Sequence, residues 1–229
     1  MEYFVSIDPQ DILMVPVLLF SLSLHEFSHA QAAWWAGDDT ASRAGRLTMN
    51  PLSHIDPVGT ILVPIICMMS GGFFIGWAKP VPVNPNRFKK AIWDVWVSLA
   101  GPASNFLLVI LSAVAFKVLI MSGILTHGNL SEKTSNLIIY LMQNFIALNV
   151  LLGLFNLIPI PPLDGSHIFF HFFVKPHTMD HPLFKLFQFM ERFGFLLLMI
   201  LIFAIPPVIN PFYWVYSLFL VIINLFIYL

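Results

Sequence analysis

Apolar runs dominate this chain, and the first of them is broken in its middle by ionisable side chains. From Ile12 to Leu24 there is no charged residue; then Leu24-His25-Glu26-Phe27-Ser28-His29 follows, and an apolar stretch resumes through Trp35. Only a buried helix or a membrane span accommodates a run of this length, and ionisable groups inside such a span mark function by default. Helical periodicity places His25 and His29 on one face, one turn apart, so their imidazoles can converge. This H-E-x-x-H spacing suits two nitrogen ligands of a tetrahedral Zn²⁺, and Glu26 stands beside them as a carboxylate able to take a proton from a water there. A chance match of the short pattern is the bland alternative; the apolar setting argues against it.

The chain of 229 residues is 58% hydrophobic and only 10% charged. Soluble domains carry about 25% charged residues, so the composition is that of an integral membrane protein. The net charge of −1 gives no argument for a nucleic-acid partner. The single cysteine, Cys67, excludes an internal disulfide framework and a cysteine-based zinc site. Residues 1–11 hold Glu2, Asp8 and Asp11 without Lys or Arg, unlike a cleavable signal, so the first span is expected to direct insertion.

Apolar stretches fall at about 12–36, 58–70, 99–122, 136–158, 193–205 and 208–229. The expected architecture is an all-α polytopic membrane protein of about five to six transmembrane or re-entrant helices. A single membrane-embedded domain spans 1–229, with a catalytic core at about 10–172 and a C-terminal helical hairpin at about 190–229. The second stretch is short and holds Pro64, which suggests a re-entrant segment. Between the first and third spans, Ala44–Pro51 and Lys79–Pro85 read as extended because proline forbids helix there. Short β segments near the membrane surface are expected from them, with the edge near Arg46–Asn50 offered to an extended peptide.

A catalytic zinc keeps three protein ligands and one open position. Asp164 supplies the third candidate, in Phe155-Asn156-Leu157-Ile158-Pro159-Ile160-Pro161-Pro162-Leu163-Asp164-Gly165. Here three prolines and a glycine hold a lone carboxylate in irregular backbone at membrane depth, a conformation tolerated only inside protein or beside a wet cavity. A Pro-rich turn with a surface Asp is the plain alternative. His167 and His171 compete as ligands, four apart but without a neighbouring Glu, and an interfacial role suits them better. His54 is a candidate for supporting a ligand from behind, although a histidine beside prolines is more often simply hydrogen-bonded. His127, His177 and His181 read as solvated loop residues.

The H-E-x-x-H helix, the N-x-x-P-x-P-P-L-D-G segment and Gly101-Pro102-Ala103-Ser104-Asn105 together resemble the site-2 protease family of intramembrane zinc metalloproteases, over about residues 20–170. Arg43-Ala44-Gly45-Arg46-Leu47 and Gly76-Trp77-Ala78-Lys79-Pro80-Val81-Pro82-Val83-Asn84 place the likeness nearest the small prokaryotic members without a PDZ module. The resemblance implies one Zn²⁺ per chain on His25, His29 and Asp164, with Glu26 as catalytic base. It also implies that Asn105 and Asn156 orient substrate, where interhelical glue is the alternative. The implied partners are a transmembrane protein substrate and the lipid bilayer. His167 stands where relatives often carry Arg, which changes the local charge.

For His25, His29 and Asp164 to meet, the first and fourth stretches must run in the same direction, so an odd number of crossings separates them. Taking 99–122 as the one crossing puts Arg43, Arg46, Lys79, Arg87, Lys89, Lys90, Lys175, Lys185 and Arg192 on one side, against Lys117 and Lys133. That asymmetry makes the crowded side cytoplasmic, with the site nearer to it in a prokaryotic cell membrane. A non-catalytic zinc protein that binds client helices is the alternative function, and intact Glu26 argues against it. An ion-coupled transporter would show repeat symmetry, and none is found.

Overall fold

The computed structural model describes residues 12–70, 76–125, 130–174, 180–200 and 211–228. The expectations for the first eleven residues and for His127, Lys175 and His177 lie outside them. The described elements are helical: α1 (Met14–Ala36), α2 (Val63–Ser70), α3 (Trp93–Met121), α4 (Glu132–Asn156), α5 (Asp164–Phe169), α6 (Pro182–Met199) and α7 (Pro211–Tyr228), with short helical turns between them.

Helix α1 stops at Gly37, whose φ of 106° is open to a residue without a Cβ. The last carbonyls of α1 are met from outside: Lys89 Nζ donates to Trp35 O at 3.0 Å, and Lys89 N to Ala36 O at 2.9 Å. Ser131 caps α4 by accepting from Thr134 N, and His181 caps α6 ahead of Pro182. Three Asx-Pro steps repeat one device. Asn50, Asp56 and Asn84 each accept a backbone N–H two residues on and start a short turn at the following proline.

Helices α1, α3 and α4 pack against one another, and α7 lies against α3 and α4. One core joins α3, α4 and α7 through Val109, Ala113, Phe116, Ile146, Val150 and Ile227. A second joins α1 to α4 through Leu18, Leu22, Leu148 and Leu152, with Ala78 packed against them. The C-terminal half of α1 is alanine-rich: Ala32, Ala33 and Ala36 meet Val97 of α3, and Ala30 meets Val81. Small residues let backbones approach closely, which is how helices associate where lipid removes the hydrophobic drive between them.

Among the described residues, two helices are long and apolar enough to cross a membrane, α3 and α4. Helix α1 is long as well, but Ser21, Ser23, His25, Glu26, Ser28, His29 and Gln31 lower its hydropathy. The excursion through α2 does not carry the chain away: Trp77 N returns to Gly59 O at 3.1 Å and Lys79 N to His54 O at 2.9 Å. Its two ends therefore sit at one level.

Among the described residues there is no strand, so the short β segments expected at 44–51 and 79–85 are corrected. The prolines explain both the expectation and its failure. Residues 76–84 form an irregular strap without helix, but Pro80 and Pro82 have no N–H to donate to a ladder. The donors around them are turned to partners other than a strand: Val81 N to Glu26 Oε2 at 2.8 Å and Asn84 N to Asp38 Oδ2 at 2.6 Å, while Trp77 N and Lys79 N go to the single carbonyls of Gly59 and His54. Arg46 Nη2 donates to Lys79 O at 2.7 Å, so the two segments meet through a side chain.

Candidate metal centre

Helical spacing sets His25 and His29 one turn apart on α1, with both side chains buried. Asp164 arrives from the far end of α4. There the chain leaves the helix at Leu157, turns through Ile158–Leu163, and restarts as α5 with Asp164 in its first turn. This corner is tight. A Cβ on Gly165 would collide with Leu157 O and lie 2.7 Å from Ile158 O, so only glycine lets α5 fold back against the turn. Gly101 does the same for α3: a Cβ there would collide with His29 Nε2 and stand 2.6 Å from His25 Nε2.

The three donor atoms form a small triangle. His25 Nε2 and His29 Nε2 each lie 3.2 Å from Asp164 Oδ2, and they are 3.0 Å from each other. The opposite ring nitrogens explain which atoms carry protons. His25 Nδ1 is 2.7 Å from Asn105 Oδ1, and His29 Nδ1 is 2.7 Å from Val97 O. Carbonyl oxygens only accept, so each Nδ1 carries the hydrogen, and in the neutral ring each Nε2 presents a lone pair. Among the described residues, no hydrogen-bond donor reaches the buried Asp164 Oδ2.

Three lone-pair donors thus face one another with no proton between them, an arrangement that a cation resolves. The spacing fits. Ligand atoms of a tetrahedral site with bonds of about 2.0–2.1 Å stand about 3.3–3.4 Å apart. Two imidazoles and one carboxylate leave a fourth position free, the donor set of a catalytic rather than a structural zinc.

The other expected residues are placed as follows. Glu26 is half-buried on the same helix, its Oε2 held by Val81 N. Asn105, expected to face substrate, lies beneath His25 at 0% exposure, its Nδ2 given to Asn149 Oδ1 at 3.0 Å. Asn156 donates back to Leu152 O of its own helix at 3.0 Å. His54 is buried and bonded to Thr48 O at 2.8 Å, tying the Asn50–Pro51 turn together. His167 is exposed, 3.8 Å from Asp94 Oδ1. Among the described residues only His25, His29 and Asp164 converge as a group that could hold a metal ion.

Sequence reasoning passed over Asn149 and Val81. Asn149 was marked by its setting, an amide inside Ala147-Leu148-Asn149-Val150-Leu151-Leu152. The importance of Val81 lies in its backbone N–H, for which side-chain identity gives no signal.

Comparison with known proteins gives the family. The model of peptidase family M50 matches residues 115–201, which include Asp164 and leave His25 and His29 outside. Over 159 residues the chain is 45% identical to the Bacillus subtilis protein named "Putative zinc metalloprotease YwhC", covering 68% of this chain and 66% of that one. It is 30% identical to a Mycolicibacterium smegmatis protein with the same designation, Rip2, over 89% of this chain and 70% of the relative. The Mycobacterium tuberculosis Rip2 is 31% identical, with 54% of its length covered. The chain belongs to peptidase family M50. Its matches span about half to seven-tenths of these curated relatives. No solved structure matches it significantly. In this M50 chain the donors come from α1 and from the start of α5, and Gly101 of α3 stands against both imidazoles.

Proposed function

We propose that this M50 chain is an intramembrane zinc metalloendopeptidase that hydrolyses peptide bonds within or near transmembrane segments of other membrane proteins. The observation that carries the reading is the triangle of His25 Nε2, His29 Nε2 and Asp164 Oδ2, with Glu26 on the adjacent position of α1. His25, His29 and Asp164 would hold the zinc, which when bound supplies a Lewis acid for the scissile carbonyl and an acidified water. Glu26 takes the proton of the attacking water and returns it to the nitrogen of the leaving strand. The half-buried Glu26 can do this because only one of its oxygens is engaged by Val81 N.

The surroundings support a membrane setting. Exposed Phe20, Leu107, Ile110, Leu111 and Val118 face outward from α1 and α3, while the polar atoms of the site are inside. In this reading α1 crosses with α3 and α4 as a multi-pass core, and α2 is re-entrant. Exposed Trp34, Trp35 and Trp96 then lie at one interface beside Arg43, Arg87, Lys89 and Lys90. That basic side is cytoplasmic by the charge asymmetry, and the site lies nearer to it in a prokaryotic cell membrane. A substrate helix hides its peptide bonds, so the scissile stretch must unwind before attack, and helix breakers near the cut favour cleavage.

The test compares purified wild type with Glu26→Gln in detergent, recording zinc per chain and cleavage of a transmembrane peptide with a central helix breaker. One zinc in both and cleavage in wild type alone is the expected result. Cleavage by Glu26→Gln at the wild-type rate would overturn the role of Glu26. A folded wild type without zinc would overturn the metal centre.

A further inference from the structure

Four buried side chains on three helices run in one line into the metal centre, and their hydrogen bonds have a direction. Phe145 O can only accept, so the atom of Asn149 that lies 2.9 Å from it is the nitrogen. The second hydrogen of that nitrogen reaches Ser21 Oγ at 3.0 Å. The amide oxygen of Asn149 must then face α3, where it accepts from Asn105 Nδ2 at 3.0 Å. With its nitrogen spent there, Asn105 turns its oxygen to His25 Nδ1 at 2.7 Å. An oxygen accepts, so the proton sits on Nδ1 and the lone pair of Nε2 points at Asp164 and His29.

We infer that Asn149 is a positioning residue for the metal centre, acting through Asn105 to fix the tautomer of His25. The inference rests on the metal-centre reading above and adds a residue to it. Asn105 and Asn149 are both 0% exposed, so bulk water does not reach the relay. Without the Asn149 oxygen, nothing in the line tells Asn105 which end to present. Its two ends are nearly the same shape. The swapped amide gives an N–H to His25 Nδ1, moves the imidazole proton to Nε2, and places a hydrogen where a ligand lone pair is needed. His29 needs no such relay, because its Nδ1 partner is the main-chain oxygen of Val97, which cannot rotate.

Interhelical glue is the plain account of a buried Asn, and it differs in one consequence. Glue is lost whenever the bond is lost, whereas an orientation signal can be replaced by any group that only accepts. Asp at position 105 has oxygens at both ends, so it accepts from His25 Nδ1 whichever way it turns.

The experiment measures Zn²⁺ affinity of the full chain in detergent by chelator competition, with circular dichroism and thermal unfolding to establish the fold. Asn149→Leu is expected to weaken zinc binding by about 10–100-fold, the usual cost of disturbing the partner behind a ligand. Asn149→Ala, a smaller change that also removes the acceptor, is expected to do the same and serves if the leucine variant does not fold. Ser21→Ala should change affinity little, because Phe145 O still pins the Asn149 amide. Asn105→Asp combined with the position-149 variant should restore binding most of the way. Wild-type affinity in the folded single variants, or no recovery in the folded double variants, would overturn the relay while leaving the metal centre standing. A folded wild type that binds no zinc would overturn both.

Discussion

Glu26 Oε2 accepts a hydrogen bond from Val81 N at 2.8 Å, and this bond joins α1, which carries His25 and His29, to the strap of residues 76–84. Pro80 and Pro82 flank Val81, so its N–H is the one main-chain donor across three residues. The strap is held at both sides of it, by His54 O on Lys79 N and by Asp38 on Asn84 N. The carboxylate is thereby aimed without using up both of its oxygens.

Removing that donor should separate aim from metal binding. Val81→Pro is expected to lower turnover by about tenfold or more, since a hydrogen bond to a charged group contributes about 1.5–3 kcal/mol. Zinc content should be unchanged, and Val81→Ala, which keeps the N–H, should turn over like wild type. Steady-state kinetics with metal analysis on the same samples check this; equal turnover in Val81→Pro would show that Glu26 needs no clamp.

The anchor at the other end of the strap carries a pH dependence. Asp38 is 1% exposed, and burial by itself would push its carboxyl up. The hydrogen bonds from Asn84 N, Thr40 Oγ1 and Thr40 N outweigh this and hold it below the usual carboxylate range. A carboxyl whose folded value is depressed contributes stability that is complete above its unfolded value of about 3.9 and is lost as the pH falls toward the folded value. Asp38→Asn should therefore be less stable than wild type at pH 7, by about 1–3 kcal/mol. The gap should close below about pH 4. Thermal unfolding across pH reads it; a gap that stays constant would mean that the charge of Asp38 is not what holds the strap.

How far the sequence shows the site depends on how local each rule is. His25 and His29 are visible because helical spacing alone puts them on one face. Asp164 is visible because prolines and a glycine break the helix around a carboxylate. The Asn149–Asn105–His25 relay joins residues 44 and 80 positions apart, and no pattern along the chain encodes which helix faces which. The strap teaches a different lesson. Its prolines correctly exclude helix, but the same prolines remove the donors that a strand needs, so excluding helix did not mean pairing. The length of 58–70 and Pro64 suggested a re-entrant segment, whereas the bonds from Trp77 and Lys79 back to Gly59 and His54, which join the flanks of this excursion, have no counterpart in any local pattern.

The choice between Asp164 and the nearby histidines is directly measurable. Asp164→Ala removes one corner of the triangle and should reduce bound zinc well below one per chain after dialysis. His167→Ala and His171→Ala should leave it unchanged, because neither belongs to the converging group. Loss of zinc in His167→Ala, with the fold intact, would move the third ligand to that residue.

Gly101 gives the most demanding prediction, because it changes no donor atom. Its Cα faces both imidazoles, and a methyl group there would lie 2.6 Å from His25 Nε2 and closer still to His29 Nε2, well inside contact distance. Helix α3 cannot simply retreat, since Val97 packs among Ala32, Ala33 and Ala36 and Asn105 is bonded to His25. The rings must therefore turn out of the triangle or α3 must shift. Overpacking of this kind costs about 1–3 kcal/mol of stability. Zinc binding should suffer more, because the methyl group crowds both Nε2 atoms that would hold the metal. Gly101→Ala is thus expected to remain folded with a lowered unfolding midpoint and to lose zinc, although His25, His29, Asp164 and Glu26 are all intact. Chelator competition beside thermal unfolding checks both halves. Full zinc occupancy in Gly101→Ala would show that the bare Cα at position 101 is not what leaves room for the donor triangle.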